Sequence, residues 1–156
     1  MQQTRVKFGS VLVLGVWLLT ACAASPSVVD QRSGWLMRAQ AGDKEAQYQL
    51  GKSYCCGYGP GKTESTALQW FCKAALQGHP NAQYQLGRFY GTRTDTSYAT
   101  YIPQNRIYAY MWYSLAAVGG VELAAAERDA LARDMSSAEL DSARQRLRNW
   151  QSLGCH

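Results

Sequence analysis

The hexapeptide AQYQLG at residues 46–51 returns unchanged at residues 82–87, a period of 36. Its surroundings return with it: AGDKEAQYQLGKSY (41–54) is answered by QGHPNAQYQLGRFY (77–90). A second pair of blocks follows, TALQWFCKAALQG (66–78) and IYAYMWYSLAAVGG (107–120). Repetition at a fixed period of this length is the signature of a stacked-repeat architecture. Ala46, Leu50, Gly51 and Tyr54 fall at helical spacing, as do Ala67, Trp70, Phe71, Ala74 and Ala75, so each unit reads as two amphipathic helices. Gly42 and Gly78 stand where a helix stops, Asp43 suits an N-cap, and Pro80 suits a first helical turn.

Between the helices of the first unit lies CCGYGPGKTES, 55–65, whose Gly61-Lys62-Thr63 ends as a phosphate-binding loop does. That pattern needs a glycine five places before Gly61, where Cys56 stands, and a strand before the loop. The preceding residues have helical spacing. The glycines are therefore expected to form a hairpin loop between antiparallel helices, with Thr63 capping the second.

The pattern of Ala46, Leu50, Gly51, Tyr54, a glycine-rich turn, then Ala67, Trp70, Ala74, Ala75 and Gly78 resembles the Sel1-like repeat, a relative of the tetratricopeptide repeat. The second copy matches at Ala82, Leu86, Gly87, Tyr90, Ala109, Trp112, Ala116, Ala117 and Gly120. The resemblance implies an all-α solenoid of stacked antiparallel hairpins, about seven helices, serving protein–protein interaction. Leu50, Tyr54, Trp70, Leu86, Tyr90 and Trp112 are expected to carry the packing. The units run over about 39–78 and 78–120, within a repeat region of 34–120. Residues 121–156 form a closing helix pair, with Leu123, Ala126, Ala130 and Leu131 expected inward on the first helix. Ser136 and Glu139 have the spacing of a capping box, and Leu140, Ala143, Leu147 and Trp150 mark an apolar stripe on the second.

The units differ in one place. From Leu50 to Trp70 is 20 residues, from Leu86 to Trp112 it is 26. The excess lies in Gly91–Asn105, GTRTDTSYATYIPQN. A loop of that length is either functional or a tolerated surface insertion. Its tyrosines decide the expectation: Tyr98, Tyr101, and the flanking Tyr108 and Tyr110 offer large, rotor-poor contact area with an orienting hydroxyl, and are expected to meet the partner.

At the N-terminus, Arg5 and Lys7 precede a twelve-residue uncharged run, FGSVLVLGVWLL, too short for a permanent span of about twenty residues. This is a secretory signal. Its end, Leu19-Thr20-Ala21-Cys22, resembles the bacterial lipobox, which implies cleavage after residue 21, lipidation of Cys22 and a tether over 22–33. In lipoprotein sorting, Ala23 resembles an outer-membrane address, facing the periplasm. The formal charge of +5 falls by two with the leader, and the remaining cations are scattered, so no nucleic-acid partner is expected.

An oxidising periplasm favours disulfides. The preferred bridge joins Cys55 or Cys56 to Cys72, within the first unit. A symmetric turn would set Cys72 roughly 10 Å along the axis from Cys55 at about 1.5 Å per residue, beyond the reach of about 7 Å between Cα atoms, so that bridge requires an asymmetric turn. His79 and His156 are the two histidines, neither at ligand spacing from a cysteine pair, so no metal or cofactor is expected. No serine, cysteine or carboxylate set acquires the partners that catalysis requires. The expectation is a non-enzymatic envelope scaffold for a protein or peptide partner, membrane-bound through its lipid; a polysaccharide- or peptidoglycan-processing factor is the alternative.

Overall fold

The computed structural model describes residues 28–55, 64–91, 105–152 and 154. Among these residues the chain is all-α, with seven helices: α1 (Val28–Gln40), α2 (Lys44–Cys55), α3 (Glu64–Leu76), α4 (Pro80–Gly91), α5 (Arg106–Val118), α6 (Glu122–Arg133) and α7 (Ser137–Arg148). A short 3₁₀ turn, Trp150–Ser152, follows. Each helix from α1 to α5 packs against its successor, and α7 returns to pack on α5. The leader, Cys22, the first interhelix loop with Cys56 and Thr63, the interior of the insert with Tyr98 and Tyr101, and Cys155 lie outside the described residues.

The repeated hexapeptide has a physical reading at each position. Ala46 and Ala82 are buried where helices touch. The glutamine after them is a latch: Gln47 Nε2 donates to the carbonyl of Ala39 at 3.0 Å, and Gln83 Nε2 to that of Ala75 at 3.2 Å. Both glutamines are buried, so these bonds satisfy amides that would otherwise be costly to desolvate. Leu50 and Leu86 are fully buried. The closing glycines, Gly51 and Gly87, receive aromatic rings. A methyl group built at Gly51 would stand 2.7 Å from the Phe71 ring, and one at Gly87 would stand 2.5 Å from Tyr113. Each glycine thus fixes how closely the paired helices approach.

The helix stops recur as well. Gly42, Gly78 and Gly120 all have positive φ, at 97°, 74° and 89°, the left-handed conformation in which glycine avoids a Cβ penalty. Asp43 caps α2, its Oδ1 accepting from the amides of Glu45 and Ala46. The same offsets extend the repeat beyond the two matching units. Ala39 presents its carbonyl to Gln47 as Ala75 does to Gln83, so α1 stands in for the second helix of a preceding unit. Ala124, fully buried four places after Gly120 as Ala46 and Ala82 are after Gly42 and Gly78, makes α6 the start of a third.

Two expectations change. Helix α1 begins at Val28, inside the stretch expected as tether. On α6, Leu123 is 65% exposed and Ala126 is exposed, while Ala124 is buried. The inward face is set by the repeat offset, which places small Ala124 against α5 and turns Leu123 outward. Ala130 and Leu131 are half-buried, as an inward-leaning position requires.

Candidate functional site

The insert begins and ends at one point. The Asn105 amide donates to the carbonyl of Tyr90 at 3.1 Å, so the last turn of α4 meets the first residue before α5. Asn105 also caps α5, its Oδ1 accepting from the Tyr108 amide at 3.2 Å. The base of the insert is therefore a clamp built by Tyr90 and Asn105.

Beside this clamp opens a cleft of about 660 Å³, lined by Gly91, Asn105, Arg106, Ile107, Leu131, Asp134 and Glu139. A smaller hollow of about 180 Å³ shares Gly91, Leu131 and Asp134 with it and reaches inward to Tyr113 past half-buried Ala130 and exposed Glu127. The two form one groove where the ends of α4 and α6 meet the starts of α5 and α7. Arg106 spans its outer part, donating from Nη1 to the Asp134 carbonyl at 2.9 Å and pairing with Glu139 Oε1 at 3.1 Å. Glu139 also completes the capping box: the Ser136 amide donates to Oε2 at 2.8 Å, and Ser136 Oγ accepts from the Glu139 amide. Those bonds from Ser136, and then Arg106, hold the Glu139 carboxyl below its ordinary range.

Deeper in, Tyr113 is 3% exposed, its ring against Gly87 and tilted on Tyr84 at 5.8 Å. Burial first, then the Glu127 carboxylate, pushes its hydroxyl far upward, so it remains protonated. Neither Tyr113 nor Glu127 stands out in the sequence. The available signal was the alignment of units, in which Tyr113 takes the place of Phe71 after the tryptophan and adds a hydroxyl.

Of the four tyrosines expected to meet a partner, the two described ones, Tyr108 and Tyr110, divide. Tyr108 is committed within the fold: it stacks on Tyr90 at 5.3 Å, and Arg146 lies over its ring at 4.7 Å while donating to its hydroxyl at 2.9 Å. Tyr110, also half-buried, lends its carbonyl to Ser114 Oγ at 2.7 Å. The packing residues divide too. Leu50, Leu86, Tyr90 and Trp112 are buried. Tyr54 and Trp70 are half-buried and belong with Trp35 and Leu36 in a smaller cluster around Ala39, Ala46 and Leu50. Trp70 is therefore not the equal of Trp112, because α1 covers it less completely than Trp150, edge-on at 6.4 Å, and its neighbours cover Trp112.

His79 caps α4, its Nδ1 accepting from the Ala82 amide at 3.2 Å while Nε2 donates to Glu45 Oε2 at 2.9 Å. Its ring stacks on Tyr48 at 4.5 Å. Cys55, at the end of α2, and Cys72, on the facing α3, are both disulfide-bonded. Among the described residues, no group of three or more His, Cys, Asp or Glu side chains is placed to hold a metal ion.

The Sel1 repeat family model matches residues 44–79 and 80–120. The crystal structure of a protective antigen present in uropathogenic Escherichia coli strains, displaying an SLR fold, is similar over 76% of this chain at 27% identity, with a TM-score of 0.66. The chain spans 24% of that protein's length. A Sel1 repeat protein from Oxalobacter formigenes is similar over 76% of this chain and 97% of its own, at 24% identity and a TM-score of 0.48. No curated protein matches the chain. With glutamine latches, ring-receiving glycines and left-handed stops recurring at the matched spacing, the chain carries two consecutive Sel1 repeats over residues 44–120.

Proposed function

We propose that this protein is a lipid-anchored scaffold of the bacterial cell envelope that binds a protein partner at the insert end of its solenoid. Sel1 repeat proteins are typically protein–protein interaction scaffolds. The observation that carries the reading is the clamp between Tyr90 and Asn105. It lets thirteen residues be inserted between α4 and α5 without disturbing the repeat register, the arrangement expected of a rigid scaffold presenting a recognition segment. The envelope location rests on the lipobox at Leu19–Cys22, and the disulfide bonding of Cys55 and Cys72 suits an oxidising compartment. In this reading the acyl chains fix the protein to the periplasmic face of the outer membrane, and the repeats offer a preorganised surface whose ordering cost is met on folding rather than on binding.

Exchange of residues 92–104 for GYGPGKT, taken from the first unit, keeps Gly91 and Asn105 and with them the clamp. The chimera should retain helicity and melting temperature while losing the crosslinked partner recovered from envelope membranes by the natural protein. Recovery of the same partner would move the binding surface elsewhere. For the anchor, Cys22→Ala should abolish palmitate incorporation; a labelled mature form in that variant would refute it.

A further inference from the structure

The inner groove has a feature that its counterpart one unit earlier lacks. In the first unit Phe71 is covered by Phe89, ring centroids 6.0 Å apart. Forty-two residues on, Tyr113 replaces Phe71 and Leu131 replaces Phe89. A shorter side chain over a longer one opens the hollow of about 180 Å³ and leaves a hydroxyl bordering it. Tyr113 is 3% exposed, and its hydroxyl, which has no hydrogen-bond partner among the described residues, is not among the fully buried atoms left without one. A methyl group at Gly91 would meet that hydroxyl at 3.4 Å, so the absence of a Cβ there keeps the way to it open.

The hollow's own lining carries two carboxylates, both exposed, while Arg88 stands near enough to act on the Tyr113 hydroxyl. Glu127 on α6 and Asp134 at its C-cap line the hollow with Leu131, and their side chains have no ion-pair or hydrogen-bond partner among the described residues. Helices α4 and α6 both end at the groove, turning the negative ends of their dipoles towards it. The starts of α5 and α7 lie across from them, but their amides are capped by Asn105 and Ser136. The cations at the rim are engaged, Arg106 by Glu139 and the Asp134 carbonyl, and Arg88 by contacts of its own. Leu131 lies one turn from Glu127 and supplies an apolar floor between the two carboxylates.

We infer that this groove is a pocket for a lysine or arginine side chain of the protein partner, its aliphatic stem on Leu131 and its charged head at the Tyr113 hydroxyl and the Glu127 carboxylate. Asp134, the C-cap of α6 and roughly 10 Å from Glu127 along the helix axis, adds its charge at the rim, where salt screens it in part. The combination of buried stem and charged head is how long basic side chains bind apolar surface. The inference rests on the scaffold reading and specifies what the partner presents.

The test uses the immobilised full-length protein and a phage-displayed library of random dodecapeptides. Selection should enrich sequences sharing a lysine or arginine at one position, and a synthetic peptide from that set should shift the amide resonances of Gly91 and Leu131. Its affinity should fall at least tenfold on the E127Q/D134N protein and severalfold on Y113F, with wild-type melting in both. Absence of enrichment, enriched peptides lacking a conserved cation, unchanged affinity on E127Q/D134N, or shifts confined to other amides would each overturn the pocket. If the pocket fails while exchange of residues 92–104 still abolishes partner crosslinking, the scaffold reading stands without it.

Discussion

At the residue scale, the hexapeptide is conserved between the two units of this chain because each position has a neighbour waiting for it. Gly87 shows the sign of the effect most clearly. Helix propensity alone favours alanine over glycine by about 1 kcal/mol in a helix interior. Here the added methyl would stand 2.5–2.9 Å from the Tyr113 ring, and overpacking of that kind costs about 1–3 kcal/mol. Gly87→Ala should therefore lower the melting temperature, and Gly51→Ala should do the same through Phe71, as thermal denaturation followed by circular dichroism would read. A rise in either would show that the helices can part without loss. The sequence displayed Gly51 and Gly87 as repeated residues, but not which ring each receives, because that pairing is a property of two helices at once. Tyr113 was hidden for the same reason. An aromatic residue after tryptophan reads as core, and only its neighbours Leu131 and Gly91 turn its hydroxyl towards a groove.

At the element scale, helix existence and stops were legible because glycine, proline and cap residues act locally. Gly42, Gly78 and Gly120 have left-handed φ, Pro80 opens α4, and Ser136 with Glu139 forms the capping box. The start of α1 and the facing of Leu123 were not, since both depend on packing against a neighbour. One cap ties elements together across the repeat: His79 caps α4 while bonding Glu45 on α2. Glu45 is held below its ordinary value of 4.5, first by the Gln49 amide and then by His79. A carboxyl with a depressed folded-state value contributes stability above the ordinary value, and that contribution is lost as the pH falls through the folded one. Its side chain is 56% exposed, so solvent screening limits the contribution to about 0.2–1 kcal/mol. Glu45→Gln should reduce stability slightly at pH 7 and narrow the difference in urea midpoint between pH 7 and pH 3. An unchanged difference would remove Glu45 from the acid response.

At the scale of the whole molecule, two full repeats are held between an imitation of a preceding helix, α1, and an imitation of a following one, α6, closed by α7. In such a stack each layer is stabilised chiefly by its neighbours, so the position of a residue along the array decides how far its loss is felt. Trp112 is 1% exposed in the main core, where α7 and Trp150 reach it. Trp70 is half-buried at the α1 end, with Lys73 Nζ 4.3 Å from its ring centroid. Sequence alone makes them equivalent, both closing the same motif; their different covers come from elements outside the repeat. Trp112→Ala should cost about 3–5 kcal/mol, the range for emptying a large buried aromatic site. Trp70→Ala should cost about 1–2 kcal/mol, in proportion to the smaller apolar area withdrawn from water. Hydrogen exchange followed by mass spectrometry distinguishes their reach: Trp112→Ala should speed exchange in α4, α5 and α7 together, whereas Trp70→Ala should speed it in α1 and α2 and leave α5 and α7 protected. Equal losses of stability, or α7 opening as readily in Trp70→Ala as in Trp112→Ala, would mean that the array melts as one unit in which the two ends are not distinguished.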